Sequence, residues 1–163
     1  MSDRLRLPAL DPDSVELRRE TDYPGDFKNI VAGRARRALG DALGLTQFGV
    51  NLVRLAPGSA SAQRHWHSRE DEFVTVLSGE VALISDSGEQ ILGRGDTAGF
   101  AAAAGDGHHL VNKGPQEALY LEIGSRVGGD VVTYPDIDLM YRKDAGKFTN
   151  KRGEIYNVPY LKH

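Results

Sequence analysis

The 163-residue chain contains no cysteine, which excludes a disulfide framework, a thiolate zinc site and a cysteine nucleophile. Any metal site must then draw on histidine, carboxylate or backbone ligands. The sequence also lacks an apolar run near the ~18 residues that a membrane-spanning helix needs. Its opening stretch, MSDRLRLPAL, lacks the apolar centre of a signal peptide, so the expectation is a cytoplasmic protein without membrane contact. Nor does one sign of charge dominate: 20 Lys and Arg face 23 Asp and Glu, the formal net charge is −3, and the signs are mixed along the chain. With no basic block, nucleic acid is not an expected partner.

What is present suits a globular domain: 40% apolar and 26% charged residues, in a chain long enough to bury one core. Residues 1–30 are rich in Pro, Asp and Arg without a sustained period and read as an extended arm. Residues 31–134 read as the body. Residues 135–163 read as a tail too short for a core of its own, packing on the body or on a partner subunit. Four of the six tyrosines fall at residue 134 or beyond, and such rings pack with the hydroxyl at the wet edge.

Within the body, short runs recur between turn residues: QFGVNLVRL, EFVTVL, EVALIS, EQIL, GHHLVN, ALYLEIG and VVTY, separated by APGS, SG, DSG and GRGD. Short strands at this spacing predict an all-β fold, an antiparallel sandwich or barrel. Around residues 31–43 two readings compete, a pair of short strands turning at Gly40-Asp41 or an amphipathic helix over 34–43, since Ala, Arg and Leu favour helices. The stretch GFAAAAG reads as a loop, too short for a stable helix, with small side chains that leave its backbone approachable.

Four of the five histidines lie in two clusters, His65 with His67 and His108 with His109. On a strand, alternate side chains share a face, so His65 and His67 point together while Trp66 faces outward. A short turn, with Glu70 and Asp71 solvated on it, carries the chain to the next strand, where Glu72 can join the two imidazoles. His108 or His109 can supply a third from another strand; adjacent residues face opposite ways, so one of them does. Imidazoles with a carboxylate suit a first-row divalent metal and leave positions open.

The spacing Gly58, six residues, His65-Trp66-His67, four residues, Glu72, six residues, Gly79 resembles the first motif of the cupin superfamily. The stretch Gly105, two residues, His108, three residues, Asn112 resembles its second. The resemblance covers roughly residues 47–126 and implies a double-stranded β-helix, or jelly-roll barrel, with His65, His67, Glu72 and His108 around a metal ion; it picks Glu72 over Asp71 and His108 over His109. Two departures stand in one loop: Ala103 occupies a proline position, and the path back to Gly95-Asp96 is about two residues longer than the pattern. The wider fragments LTQFGVNLVRL, HWHSREDEFV, GHHLVN and YPDIDL are similar to a little-characterised group of bacterial single-domain cupins.

The expected function is therefore that of a divalent-metal enzyme on a small metabolite, with Fe, Mn, Ni or Zn as the ion. It is either an oxygenase or an isomerase or lyase that uses the metal as a Lewis acid. The alternatives are a binding module for a sugar or organic acid, since one barrel hosts both kinds, and a structural protein with a stabilising metal. Gln47, Asn51 and Tyr120, polar groups in apolar strands, are candidate substrate contacts, and Arg54 reads as a solvent-facing charge. The resemblance and the tyrosine-rich ends imply a homodimer.

Overall fold

The computed structural model describes residues 5–157. After two 3-10 turns, Pro12–Ser14 and Gly25–Val31, come strand β1 (Arg34–Ala38) and a single helical turn α1 (Leu39–Ala42). Ten strands continue the chain: β2 (Phe48–Leu55), β3 (Trp66–His67), β4 (Glu72–Ser78), β5 (Val81–Ser85), β6 (Gly88–Leu92), β7 (Thr97–Phe100), β8 (His109–Val111), β9 (Ala118–Ser125), β10 (Val131–Tyr134) and β11 (Leu139–Arg142). The last is β12 (Lys147–Thr149). The fold is all-β, a double-stranded β-helix of antiparallel sheets in the orders β1-β2-β9-β4-β7, β12-β11-β10-β3 and β6-β5-β8. No helix among the described residues is long and apolar enough to cross a membrane.

Alternation along the strands decides what is inside. On β2, Val53 and Leu55 are buried and register with Tyr120 and Ala118 of β9. Together with Val74, Val76, Val81 and Leu83 they form the main core. A second cluster, Val132, Tyr134, Leu139 and Phe148, lies on the other sheet and receives Tyr23 and Phe27 from the N-terminal segment. Tyr23 stands 5.8 Å from the Tyr134 ring and 5.6 Å from that of Phe148.

One segment resolves two competing sequence readings, and two differ from theirs. Residues 34–38 pair with β2 from Arg34↔Leu55 to Ala38↔Asn51, because an available sheet edge overrides the helix propensity of Ala and Arg; helix survives only as the turn α1. Gly99 and Phe100, read as the start of a loop, close strand β7 against Phe73 and Glu72. Residues 139–149, read as a tail, hold β11 and β12, which extend the sheet begun by β3 and β10. Tyr160 and His163 lie outside the described residues.

The closing residues of the two motifs shape the barrel. Gly79 has φ +71°, and a Cβ there would stand 2.9 Å from the Glu117 carbonyl, so no larger residue fits without a shift. Asn112 is fully buried; its Nδ2 donates to the Leu55 and Gln116 carbonyls, both at 2.7 Å, and its Oδ1 accepts from Gly114 N at 3.0 Å. These bonds fix the turn from β8 to β9 and satisfy a side chain that would be costly to bury unpaired.

Candidate metal centre

His65 pairs with His108 in an isolated antiparallel backbone bridge, with N···O distances of 2.8 and 3.1 Å in the two directions. His67 follows on β3, and Glu72 opens β4. Their side chains converge on one oxygen: Glu72 Oε2 lies 2.9 Å from His108 Nε2, 3.5 Å from His67 Nε2 and 3.6 Å from His65 Nε2. The ligand atoms of His65, His67 and Glu72 all fall within 4.8 Å of one another. His108 reaches this group through Glu72.

The far side of each ring explains its orientation. His65 Nδ1 is 2.8 Å from the Gln63 carbonyl and His67 Nδ1 is 2.7 Å from Asp130 Oδ2. Each acceptor holds a proton on Nδ1, so Nε2 is the ring atom turned to the shared point and the one free to ligate once deprotonated, the arrangement that metal-binding imidazoles require. His108 is different: its Nδ1 is buried without a partner, and the ring is held by stacking face to face on Phe100, centroids 3.5 Å apart.

Charge follows from the same contacts. Burial, the largest influence on Glu72, raises its pKa, but hydrogen bonds from His108 and His65 and the charges of His65 and His67 outweigh it and hold the carboxyl well below the ordinary range. Burial likewise pushes His65 down, and hydrogen bonding and charge from Glu72 turn the net direction upward. The donor set is therefore a carboxylate among imidazoles, which fits a divalent first-row ion.

Behind the centre, Asp130 is buried and its Oδ1 accepts from Arg69 N at 2.9 Å and Ser68 Oγ at 3.2 Å. Glu70, expected on a solvated turn, is instead only 6% exposed. It accepts from Val127 N at 2.7 Å and pairs with Lys143, because the C-terminal sheet folds over that turn. Asp71 is exposed and accepts from Ala102 N at 2.8 Å. His67, Glu70 and Asp130 also bring ligand atoms within 4.8 Å, but here the ring N–H, Lys143 and backbone amides already satisfy both carboxylates.

The centre opens into a cavity of about 190 Å³ whose wall includes Arg34, Tyr23, Ser61, His109, Glu122 and Tyr134. Of the substrate contacts expected from sequence, none lines it. Gln47 is exposed at the sheet end, its carbonyl accepting from Arg126 N at 3.0 Å. Asn51 stands one shell back, donating to Glu122 Oε1 at 3.2 Å. Tyr120 is fully buried in the main core. Trp66, expected to face outward, is half-buried beside a second small cavity that also touches His67 and Glu72. Arg54 is exposed and paired with Glu117 at 3.7 Å. His109 turns Nδ1 to the Ala62 carbonyl at 2.9 Å; burial lowers its pKa and favours the neutral ring.

Glu122 was legible in principle, since it shares a face of β9 with Tyr120. Arg34 was hidden by the strand-or-helix ambiguity. Tyr23 and Asp130 lie in stretches without period and carry no signal.

Ala103 has φ +59° and its N–H donates to the His67 carbonyl at 2.8 Å. Proline, with φ fixed near −65° and no N–H, cannot occupy this position, which accounts for the departure from the motif.

The cupin domain family model matches residues 51–124. A crystal structure from Silicibacter pomeroyi, described as a sugar phosphate isomerase from a cupin superfamily, is 43% identical. It superposes with a TM-score of 0.86 over 90% of this chain and 95% of that one. A protein from Acidithiobacillus ferrooxidans, provisionally described as a sugar phosphate isomerase, is 31% identical, TM-score 0.68, over 81% and 84% of the two chains. The polyketide cyclase RemF from Streptomyces resistomycificus, 18% identical with a TM-score of 0.59 over 72% and 78%, shares the fold alone. Among curated proteins no match is found.

Proposed function

The chain belongs to the cupin superfamily, and on that premise we propose that it is a divalent-metal-dependent isomerase acting on a small sugar phosphate, with His65, His67, Glu72 and His108 holding the ion. The observation that carries this reading is the convergence of three imidazole Nε2 atoms on Glu72 Oε2. The similarity to a protein described as a sugar phosphate isomerase favours isomerisation over the oxygenase and over a binding module without turnover.

A bound divalent ion would polarise the substrate carbonyl and offset charge on its oxygen. The residues do the rest. Glu122 faces the cavity with Asn51 holding Oε1. It takes the proton from the carbon beside the carbonyl; that C–H pair forms the enediol double bond, and the carbonyl oxygen gains a proton. Return of the first proton to the former carbonyl carbon, with loss of the neighbouring hydroxyl's proton as the new carbonyl forms, completes the exchange, with no redox partner. Phe100 walls the cavity beside His108, restricting water around the proton in transit.

Elemental analysis of untagged protein tests the metal. The wild type is expected to carry stoichiometric ion, and His65→Ala and Glu72→Gln to carry almost none. No ion after reconstitution with iron, manganese, nickel and zinc overturns the reading; oxygen uptake during a substrate screen would favour the oxygenase. A homodimer belongs to the same proposal. Phe48, Phe73 and Leu77, 43%, 40% and 38% exposed on strands of the five-stranded sheet, offer an apolar face, and a monomeric mass at micromolar concentration would count against pairing.

A further inference from the structure

We infer that Arg34 is the anion-binding residue of the cavity and that it receives the phosphate of a phosphate monoester. The guanidinium lines the same cavity as the histidines. One of its nitrogens, Nη1, donates to the Ser61 carbonyl at 2.7 Å, which fixes the direction of the side chain. Guanidinium carries five N–H donors in a rigid plane, so most remain for a ligand. Among the described residues no carboxylate lies within ion-pair distance of Arg34; the exposed arginines Arg54 and Arg126 both have one. A half-buried cation without a counter-ion, in a concave site, is a demand for an anion.

The neighbourhood strengthens this. Arg36 alternates with Arg34 on β1 and so shares its face. Burial is the main influence that lowers the Arg36 pKa; the charge of Arg34 lowers it further while those of Glu122 and Asp22 raise it, so the two guanidinium groups repel and a bound anion would add to what the carboxylates offset. Tyr23 and Tyr134, both pushed up by burial, stay neutral; their hydroxyls bond each other and Tyr23 also accepts from Gln63 N at 3.2 Å, so they wall the space without adding charge. A planar fork matches two phosphate oxygens at once, whereas Glu122 on the same wall suits hydroxyl groups. The cavity thus pairs a site for an anion with a site for a polyol, beside the proposed metal.

This deepens the isomerase reading, yet the anion site can be measured without it. The experiment is calorimetric titration of inorganic phosphate into chelator-stripped protein, with acetate as a carboxylate control. The wild type is expected to bind phosphate more tightly than acetate, and Arg34→Gln to bind phosphate at least about tenfold more weakly. Arg34→Lys, which keeps the charge without the fork, is expected between them, and its binding controls for folding. Arg54→Gln, at an exposed arginine outside the cavity that pairs with Glu117, is expected to bind phosphate as the wild type does. Equal phosphate affinity in the wild type and Arg34→Gln, or no binding to the wild type, overturns the inference. If the wild type holds no metal but phosphate binding still depends on Arg34, the isomerase reading falls and the anion site stands.

Discussion

Asp130→Asn probes how the proposed metal centre is held. Oδ1 of Asp130 accepts from Arg69 N and Ser68 Oγ at 2.9 and 3.2 Å, while Oδ2 accepts from His67 Nδ1 at 2.7 Å. Asparagine keeps the first oxygen and replaces the second with an NH₂ group. That group cannot accept the ring proton, so the imidazole either turns away or takes the proton on Nε2, the atom needed for the ion. Loss of such an outer partner costs about 10–100-fold in metal affinity, or about 1.4–2.7 kcal/mol. Competition with a chromogenic chelator for zinc or manganese measures it. Metal-free Asp130→Asn should unfold close to the wild type, because the loop bonds to Oδ1 persist, whereas Asp130→Ala should lose both stability and affinity. An Asp130→Asn protein that holds the ion within about threefold of the wild type would show that this hydrogen bond does not orient the ligand, and the argument from ring geometry would fail.

Three further outcomes follow from other parts of the fold. Ala103→Gly relieves a positive φ of 59° and should raise stability by about 0.5–1 kcal/mol, whereas Ala103→Pro should cost about 3 kcal/mol or more; denaturation midpoints read both. Tyr120→Phe removes a buried hydroxyl without a hydrogen-bond partner, so it should be neutral or stabilising by up to about 1 kcal/mol and should leave ligand affinity unchanged; a large loss of affinity would return Tyr120 to the site. Asp136 is held below its usual pKa chiefly by its hydrogen bonds with Arg64, so its contribution is complete above about pH 4 and is lost as pH falls through the lowered value. Because Asp136 is 57% exposed, the gap between wild type and Asp136→Asn at neutral pH should be under about 1 kcal/mol, and it should close in acid unfolding series.

The fold was legible where two regularities coincided, period-two alternation and turn residues at its ends, as at QFGVNLVRL and ALYLEIG. It was illegible where the partner strand decides the conformation. RARRA has the propensity of a helix and becomes β1 because β2 offers it an edge, and the competition between the two readings hid Arg34. The tail looked irregular because β11 and β12 are only four and three residues long, too short to show a period. At the site, spacing brought His65, His67 and Glu72 together, since they lie on one strand and the next. What lies behind them was out of reach: Asp130 meets His67, and Lys143 meets Glu70, only after the C-terminal sheet closes, and sequence distance says nothing about that closure. The polar residues Gln47, Asn51 and Tyr120 were singled out for being polar in strands, yet which face they take depends on register. Asn51 and Tyr120 share the inward face with Glu122, but only Glu122 reaches the cavity.

The bridge between His65 and His108 has a kinetic consequence. The four side chains sit on strands whose ladder partners are far away along the chain: His67 opposite Val132, Glu72 opposite Gly124, His65 opposite His108. Non-local pairings form slowly, because each must first close a long loop. No fragment of the chain then presents the whole donor set before the barrel has closed, and an ion would enter as the final event of folding. The same logic runs in reverse. Unfolding would scatter all four groups at once, so a seated ion would hold the barrel closed with the free energy of its binding.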